Sequence, residues 1–225
     1  PVPADNSGRI AADTDPDDSA SATVYGPLVW STESTFVAFE DLKQVGWCDW
    51  DYNDFVVKLT VRRGMDVAGQ LVIAEFTYEA MAHGGAFDHK FMHGLPFLGG
   101  GDYRLQLWNG AGVELAHMSG TFLEDEPVFE IFAHTKEAMP LLPNSPPDRP
   151  FTNTLPEQTT RVDGHVARLA VWLKDPALNL NAALPPLPWD THLYVYNTGK
   201  AVHLVQPGYL DNTQVVNSVF DPANP

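Results

Sequence analysis

The chain is poor in everything that would cross-link it covalently or draw it to an anion. It has one cysteine, Cys48, so no internal disulfide can form and redox compartment cannot be read from pairing. Beside Asp49, that thiol reads as a small buried hydrophobe, because a neighbouring acid disfavours the thiolate. Cations are scarce: 13 Lys and Arg stand against 29 Asp and Glu, a net charge of −16. The sequence pI is near 4.6. Such a deficit argues against nucleic acid and against anionic membrane surfaces as partners. No stretch approaches the ~20 apolar residues of a spanning helix, so no membrane insertion is expected. Catalytic signatures are missing too. There is no Gly-x-Ser-x-Gly elbow, no cysteine with a plausible base, no glycine-rich phosphate cradle and no His-Glu-x-x-His helix. An enzyme is therefore the lesser reading, kept open only by the carboxylates Glu124, Asp125, Glu126 and Glu130, which could form a glycosidase-like pair.

What is present is a β pattern. Phe55, Val57, Leu59 and Val61 alternate with Lys58, Thr60 and Arg62. Val72, Ala74, Phe76, Tyr78 and Ala80 alternate in the same way, as do Ala167, Leu169, Val171 and Leu173. Residues 103–108 read as a strand running into a tight hairpin turn at Asn109-Gly110, and residues 128–132 and 193–196 read as short strands. No helical period exceeds two turns. Many short strands among 17 glycines and 19 prolines predict an all-β fold. The expected architecture is an antiparallel β-sandwich, jelly-roll-like, with long Pro-rich loops such as residues 139–160. An acidic segment, residues 1–28, precedes one sandwich domain over residues 29–225.

Between two predicted strands lies the densest chemistry. Glu40, Asp41, Asp49, Asp51, Asn53 and Asp54 place six side-chain oxygen donors within fifteen residues, interleaved with Trp50, Tyr52 and Phe55. Carboxylates this close repel one another unless a cation or solvent separates them, and hard oxygen donors suit Ca2+. A solvated acidic turn is the plainer alternative. Asp49, Asp51 and Asn53 match the first half of an EF-hand loop, but Asp54 stands where glycine is required and Thr60 where the bidentate glutamate belongs. A strand-loop-strand calcium site is the expectation, with Glu40 supplying the missing acid. Asp13, Asp15, Asp17 and Asp18 form a secondary candidate set.

These residues also carry a resemblance. Phe39-Glu40-Asp41-Leu42 followed by Asp51-Tyr52-Asn53-Asp54-Phe55-Val56-Val57 resembles the opening signature of the LruC-domain family of bacterial exported proteins. Gly84-Gly85-Ala86-Phe87-Asp88-His89-Lys90-Phe91 through Gly94-Leu95-Pro96 is similar to that family's hairpin. Phe151-Thr152-Asn153-Thr154 is similar to its Asn-Thr turn, and residues 193–204 to its late strand pair. The likeness spans roughly residues 36–210, and the family's C-terminal extension is not recognisable after Asp211. The Asp pattern at 13, 15, 17 and 18 looks like the tail of a thrombospondin type 3-like calcium repeat, a plain linker being the alternative. Membership would imply an exported β-domain, often beside calcium-binding repeats, without an established activity to carry over. Extracellular or cell-surface localisation follows from the resemblance, and Pro1 at the start fits a removed signal peptide.

Other groups invite weaker readings. His83, His89 and His93 lie in one glycine-rich hairpin, where 89 and 93 share a strand face and could meet one metal, although structural histidines are the simpler account. The expected function is a calcium-stabilised exported structural or assembly domain, a filament or surface-layer subunit whose partner is itself or the cell surface. Ala20-Ser21-Ala22-Thr23-Val24-Tyr25 could add as an edge strand to a neighbouring copy. The alternative is an adhesion or carbohydrate-binding module that meets a glycan through exposed Trp108, Trp172 and Trp189.

Overall fold

The computed structural model describes residues 27–39, 54–142, 151–154 and 160–203. Within these residues ten strands run in chain order: β1 (Val29–Phe39), β2 (Phe55–Met65), β3 (Leu71–Ala82), β4 (His89–Gly94), β5 (Gly101–Trp108), β6 (Glu114–Phe122), β7 (Val128–Phe132), β8 (Val166–Leu173), β9 (Asp190–Val195) and β10 (Lys200–His203). They form a six-stranded sheet in the order β1-β2-β3-β8-β5-β6 and a four-stranded sheet in the order β10-β9-β4-β7. Every ladder is antiparallel. The expected all-β sandwich is therefore present. A single turn of helix, Thr135–Ala138, and two 3-10 turns are the helical elements among the described residues.

The alternation read from sequence is the alternation that packs. Phe55, Val57, Leu59 and Val61 are fully buried, while Val56, Lys58 and Thr60 between them are half-buried. Phe76 and Tyr78 of β3, together with Ala167, Leu169 and Val171 of β8, continue the same inner face. From the small sheet, Phe91, Ile131, Phe132, Leu193 and Val195 face them. Phe91 sits at the centre, its ring centroid 6.0 Å from Phe39, 5.8 Å from Phe55, 5.9 Å from Tyr78 and 6.1 Å from Phe132. Tilted and edge-on rings at these distances add to what area burial alone contributes.

Two hairpins use the same turn device. At the β2–β3 turn the Asp66 carboxylate accepts from the backbone N–H groups of Ala68 and Gln70, and Gly69 takes φ 77°. At the β5–β6 turn Asn109 Oδ1 accepts from Ala111 and Val113, and Gly112 takes φ 77°. The turn expected at Asn109-Gly110 is thus longer than two residues, because the Asn side chain closes it and the left-handed residue is Gly112. Gly110 serves another need: a Cβ there would run into the carbonyl of Asp163. Asn153 of the expected Asn-Thr turn also has positive φ, 62°, and is held by its side chain to Met81 O, Val162 O and Val162 N.

Among the described strands the sheets differ in width, and the narrow one leaves part of the wide one uncovered. Along β6 every residue from Glu114 to Thr121 is exposed, and burial resumes at Phe122. On the inner face, Met118 opposite Leu105 is 51% exposed. Replacing the central Phe91 with Ala should cost about 3–5 kcal/mol in denaturant unfolding. The same change at Phe36, exposed on the outer face of β1, should stay within about 0.5 kcal/mol.

Candidate metal centre

Of the predicted calcium ligands, Asp54 alone falls in the described residues, buried where β2 begins. Glu40, Asp41, Asp49, Asp51 and Asn53 lie outside them, as do Asp13, Asp15, Asp17, Asp18 and Cys48. The frame around the acid block is nevertheless as expected. Phe39 ends β1, Phe55 opens β2, and the two pair directly, so residues 40–54 connect the strands of one hairpin.

The histidines of the β4 hairpin share a face, and that face is the core. His89 and His93 are fully buried, either side of Phe91. Burial pushes the His93 imidazole down to about 3, so it is neutral. Tyr78 Oη lies 2.7 Å from His93 Nδ1, and Pro188 O lies 3.0 Å from Nε2. A carbonyl can only accept, so Nε2 carries the proton and the phenol donates to Nδ1. His89 Nδ1 is 3.0 Å from Thr135 Oγ1, while the His89 N–H donates to the same oxygen. Both rings are thus already partnered within the core.

The remaining candidates scatter. Glu130 pairs with Lys90 across the small sheet, and Asp125 accepts from the Gly99 N–H. Trp108 and Trp172 are on the outer face of the large sheet, under the guanidinium groups of Arg168 at 5.1 Å and Arg104 at 5.7 Å. Trp189 is not an exposed aromatic. It is fully buried, in edge-on contact with Phe76 and Phe97, and its Nε1 donates to Pro185 O at 2.8 Å.

A different cluster emerges on the outer face of the small sheet. Thr191, Leu193 and Val195 of β9 point into the core, so Asp190 and His192 point out together. His203 of β10 stands directly across from His192. Its Nδ1 lies 2.6 Å from Asp190 Oδ1, His192 Nδ1 lies 3.6 Å from Asp190 Oδ2, and the two imidazoles stack with centroids 4.3 Å apart. One donor atom from each residue falls within 4.8 Å of the others, and these three are the metal-capable group among the described residues. Burial alone would raise the Asp190 carboxyl, but the hydrogen bonds and charges of His192 and His203 outweigh it and hold it well below the usual range. Sequence reading passed over this trio. The available signal was an Asp-x-His at alternate strand positions with a histidine on the next strand, visible only once the hairpin register is known.

Compared with protein-family models, with curated proteins and with solved structures, the chain finds no match. The geometry must speak for itself.

A second charged pair, Asp88 with His134, supplies a pH test. Their 2.6 Å contact raises the imidazole's pKa. Burial alone would raise Asp88, yet the hydrogen bonds from His134 and from the backbone of Lys136 and His89 lower it. Stability from His134 is full below its unfolded value of about 6.5 and is lost as pH rises through the folded one. Stability from Asp88 is present above about 3.9 and is lost as pH falls. Melting temperatures of the native protein and Asp88→Asn should therefore differ most near pH 5, and the difference should narrow past pH 8 to what the backbone hydrogen bonds to Asp88 sustain. The gap should shrink in high salt, because His134 is exposed.

Proposed function

We propose that this chain is an exported, calcium-stabilised structural domain that assembles with further copies of itself by adding strands at the β6 edge. The observation that carries the reading is β6. It is nine residues long, pairs only with β5 among the described strands, and is exposed along eight of those residues. Edge strands of soluble domains are usually blunted by lysine, proline or brevity. β6 contains no lysine and no proline, and its charged or titratable residues are Glu114 and His117. Around it Val113, Leu115, Met118, Leu123 and, on the edge of the small sheet, Val128 are each at least half exposed. A strand from a neighbour would take up the free backbone groups and cover this apolar border.

Calcium and export enter from the sequence, through the acid block at residues 40–54 and the resemblance to the LruC-domain family. The candidate donor strand, Ala20-Ser21-Ala22-Thr23-Val24-Tyr25, lies outside the described residues. Strand donation to a second copy in one direction is heterologous and propagates into a filament unless the ring closes. The glycan reading is less well supported. Trp189 is unavailable to a ligand, and Trp108 and Trp172 each already have an arginine against the ring.

Assembly should appear in sedimentation velocity as species that grow with concentration. Leu115→Lys with Met118→Lys places a charge on each face of the edge at exposed positions, so the fold should lose little stability. The double variant should weaken association at least about tenfold, equivalent to about 1.4 kcal/mol. Profiles that match the native protein's would remove β6 from the account. For calcium, a cation at 100 times its dissociation constant adds about 2.7 kcal/mol to the folded state. Chelation should lower the melting temperature, calcium should restore it where magnesium does so poorly, and Asp51→Ala should remove most of the calcium response.

A further inference from the structure

We infer that Asp190, His192 and His203 form a binding site for a divalent first-row cation of the zinc class, with a donor set unlike the oxygen-only one expected for calcium. Two imidazole nitrogens and one carboxylate oxygen make up the donor set. Imidazole suits zinc and its neighbours, whereas calcium takes about 6–8 oxygens. Three protein donors that leave a position open are an ordinary zinc arrangement.

The backbone prepares the site in two ways. Strand alternation puts Asp190 and His192 on one face, and the β9–β10 register places His203 opposite His192. None of the three needs a loop to position it. The second contribution is from β4, where Gly94 pairs with Asp190. A Cβ at Gly94 would stand 2.9 Å from Asp190 Oδ2 and 3.1 Å from its Cβ. The carboxylate therefore lies against a strand position that leaves room for it only because the residue is glycine. The three side chains are largely withdrawn from water, with 12% exposure for Asp190, 11% for His192 and 17% for His203.

A closing of the cluster separates this geometry from a loaded one, since its three donor atoms lie within 4.8 Å of one another. Bonds of about 2.0–2.2 Å at tetrahedral angles put donor atoms about 3.3–3.5 Å apart. The Asp190–His203 contact, now 2.6 Å, would open by less than 1 Å as the cation replaces the hydrogen between them. His192 Nδ1 stands 3.6 Å from the other carboxylate oxygen, Oδ2, and 3.3 Å from the Asp190 backbone carbonyl, so its ring must turn for both imidazoles to meet a cation on one carboxylate oxygen. A bound ion would staple β10, a four-residue edge strand, to β9 and hold the margin of the small sheet. The plainer account of the same residues is a carboxylate–imidazole hydrogen bond that needs no metal.

The test uses the full chain, stripped by chelator and titrated with zinc by calorimetry and with cobalt by visible absorption, both in excess calcium. One tight site that calcium does not displace is expected, with a cobalt spectrum of low-coordinate nitrogen and oxygen ligation. His192→Ala and His203→Ala should each weaken zinc by more than the ~10–100-fold that outer-shell changes cost, and Gly94→Ala should fall within that range. Circular dichroism checks that each variant folds. Should a variant fail to fold, histidine resonances of the native protein decide instead: zinc must perturb those of His192 and His203 before the others. No tight zinc site in the native protein, unchanged affinity in both folded histidine variants, or perturbation confined to other histidines would each reduce the cluster to an ion pair.

Discussion

A single hydrogen bond between the sheets, from Tyr78 to His93, sets much of what surrounds it. Tyr78 belongs to the large sheet and His93 to the small one, and both are fully buried among aromatic rings. A phenol and an imidazole taken out of water must each find a partner, since a buried polar group left alone costs about 1–3 kcal/mol. Here they find each other at 2.7 Å, which fixes how one sheet lies on the other. Burial also drives the Tyr78 phenol well above its ordinary pKa, so it stays a donor throughout the physiological range. The second nitrogen of His93 then holds Pro188 O, which anchors the chain just before β9. From that anchor Trp189 turns into the core, with φ 57°, and Asp190 begins the strand that carries His192. The inter-sheet contact thus reaches the candidate cation site through three consecutive residues.

Unequal sheets produce the other main feature. Among the described strands four face six, and the shortfall is visible along β6, where inner and outer faces are both exposed. An apolar margin of this kind normally invites indiscriminate association. The net charge of −16 works against that by holding copies apart in solution. The proposed strand addition would meet that repulsion with backbone hydrogen bonds and burial of the apolar margin.

The strands were legible because burial imposes a period of two, which β8 and the middle of β2 and β3 carry, although Leu71 to Ala74 at the start of β3 are all buried and depart from it. The β5–β6 turn was half legible: Asn109 was correctly seen as its start, but a side-chain-closed turn with its left-handed residue at Gly112 looks like Asn-Gly in one dimension. The shared face of His89 and His93 followed from strand geometry as well. That the face is the core, and that Tyr78, Pro188 and Thr135 occupy the ring nitrogens, depends on segments distant in sequence. Trp189 was misread for a similar reason, since its Pro-rich flanks resemble a surface loop and the cavity that receives it is built by Phe76 and Phe97. The Asp190, His192 and His203 trio was hidden because composition weighted attention toward the acids at residues 40–54. Two histidines 11 positions apart have no visible relation until β9 and β10 are paired in register.

Hydrogen–deuterium exchange of β6 as a function of protein concentration tests the central claim most directly. At low concentration the outward-facing amides of Glu114–Phe122 should exchange fast, since β6 pairs only with β5 among the described strands. At high concentration they should become protected, while the amides of β2 and β3 in the sheet interior remain as slow as before. Protection of β6 that does not change with concentration, in a protein that has demonstrably assembled, would show that copies meet through some other surface.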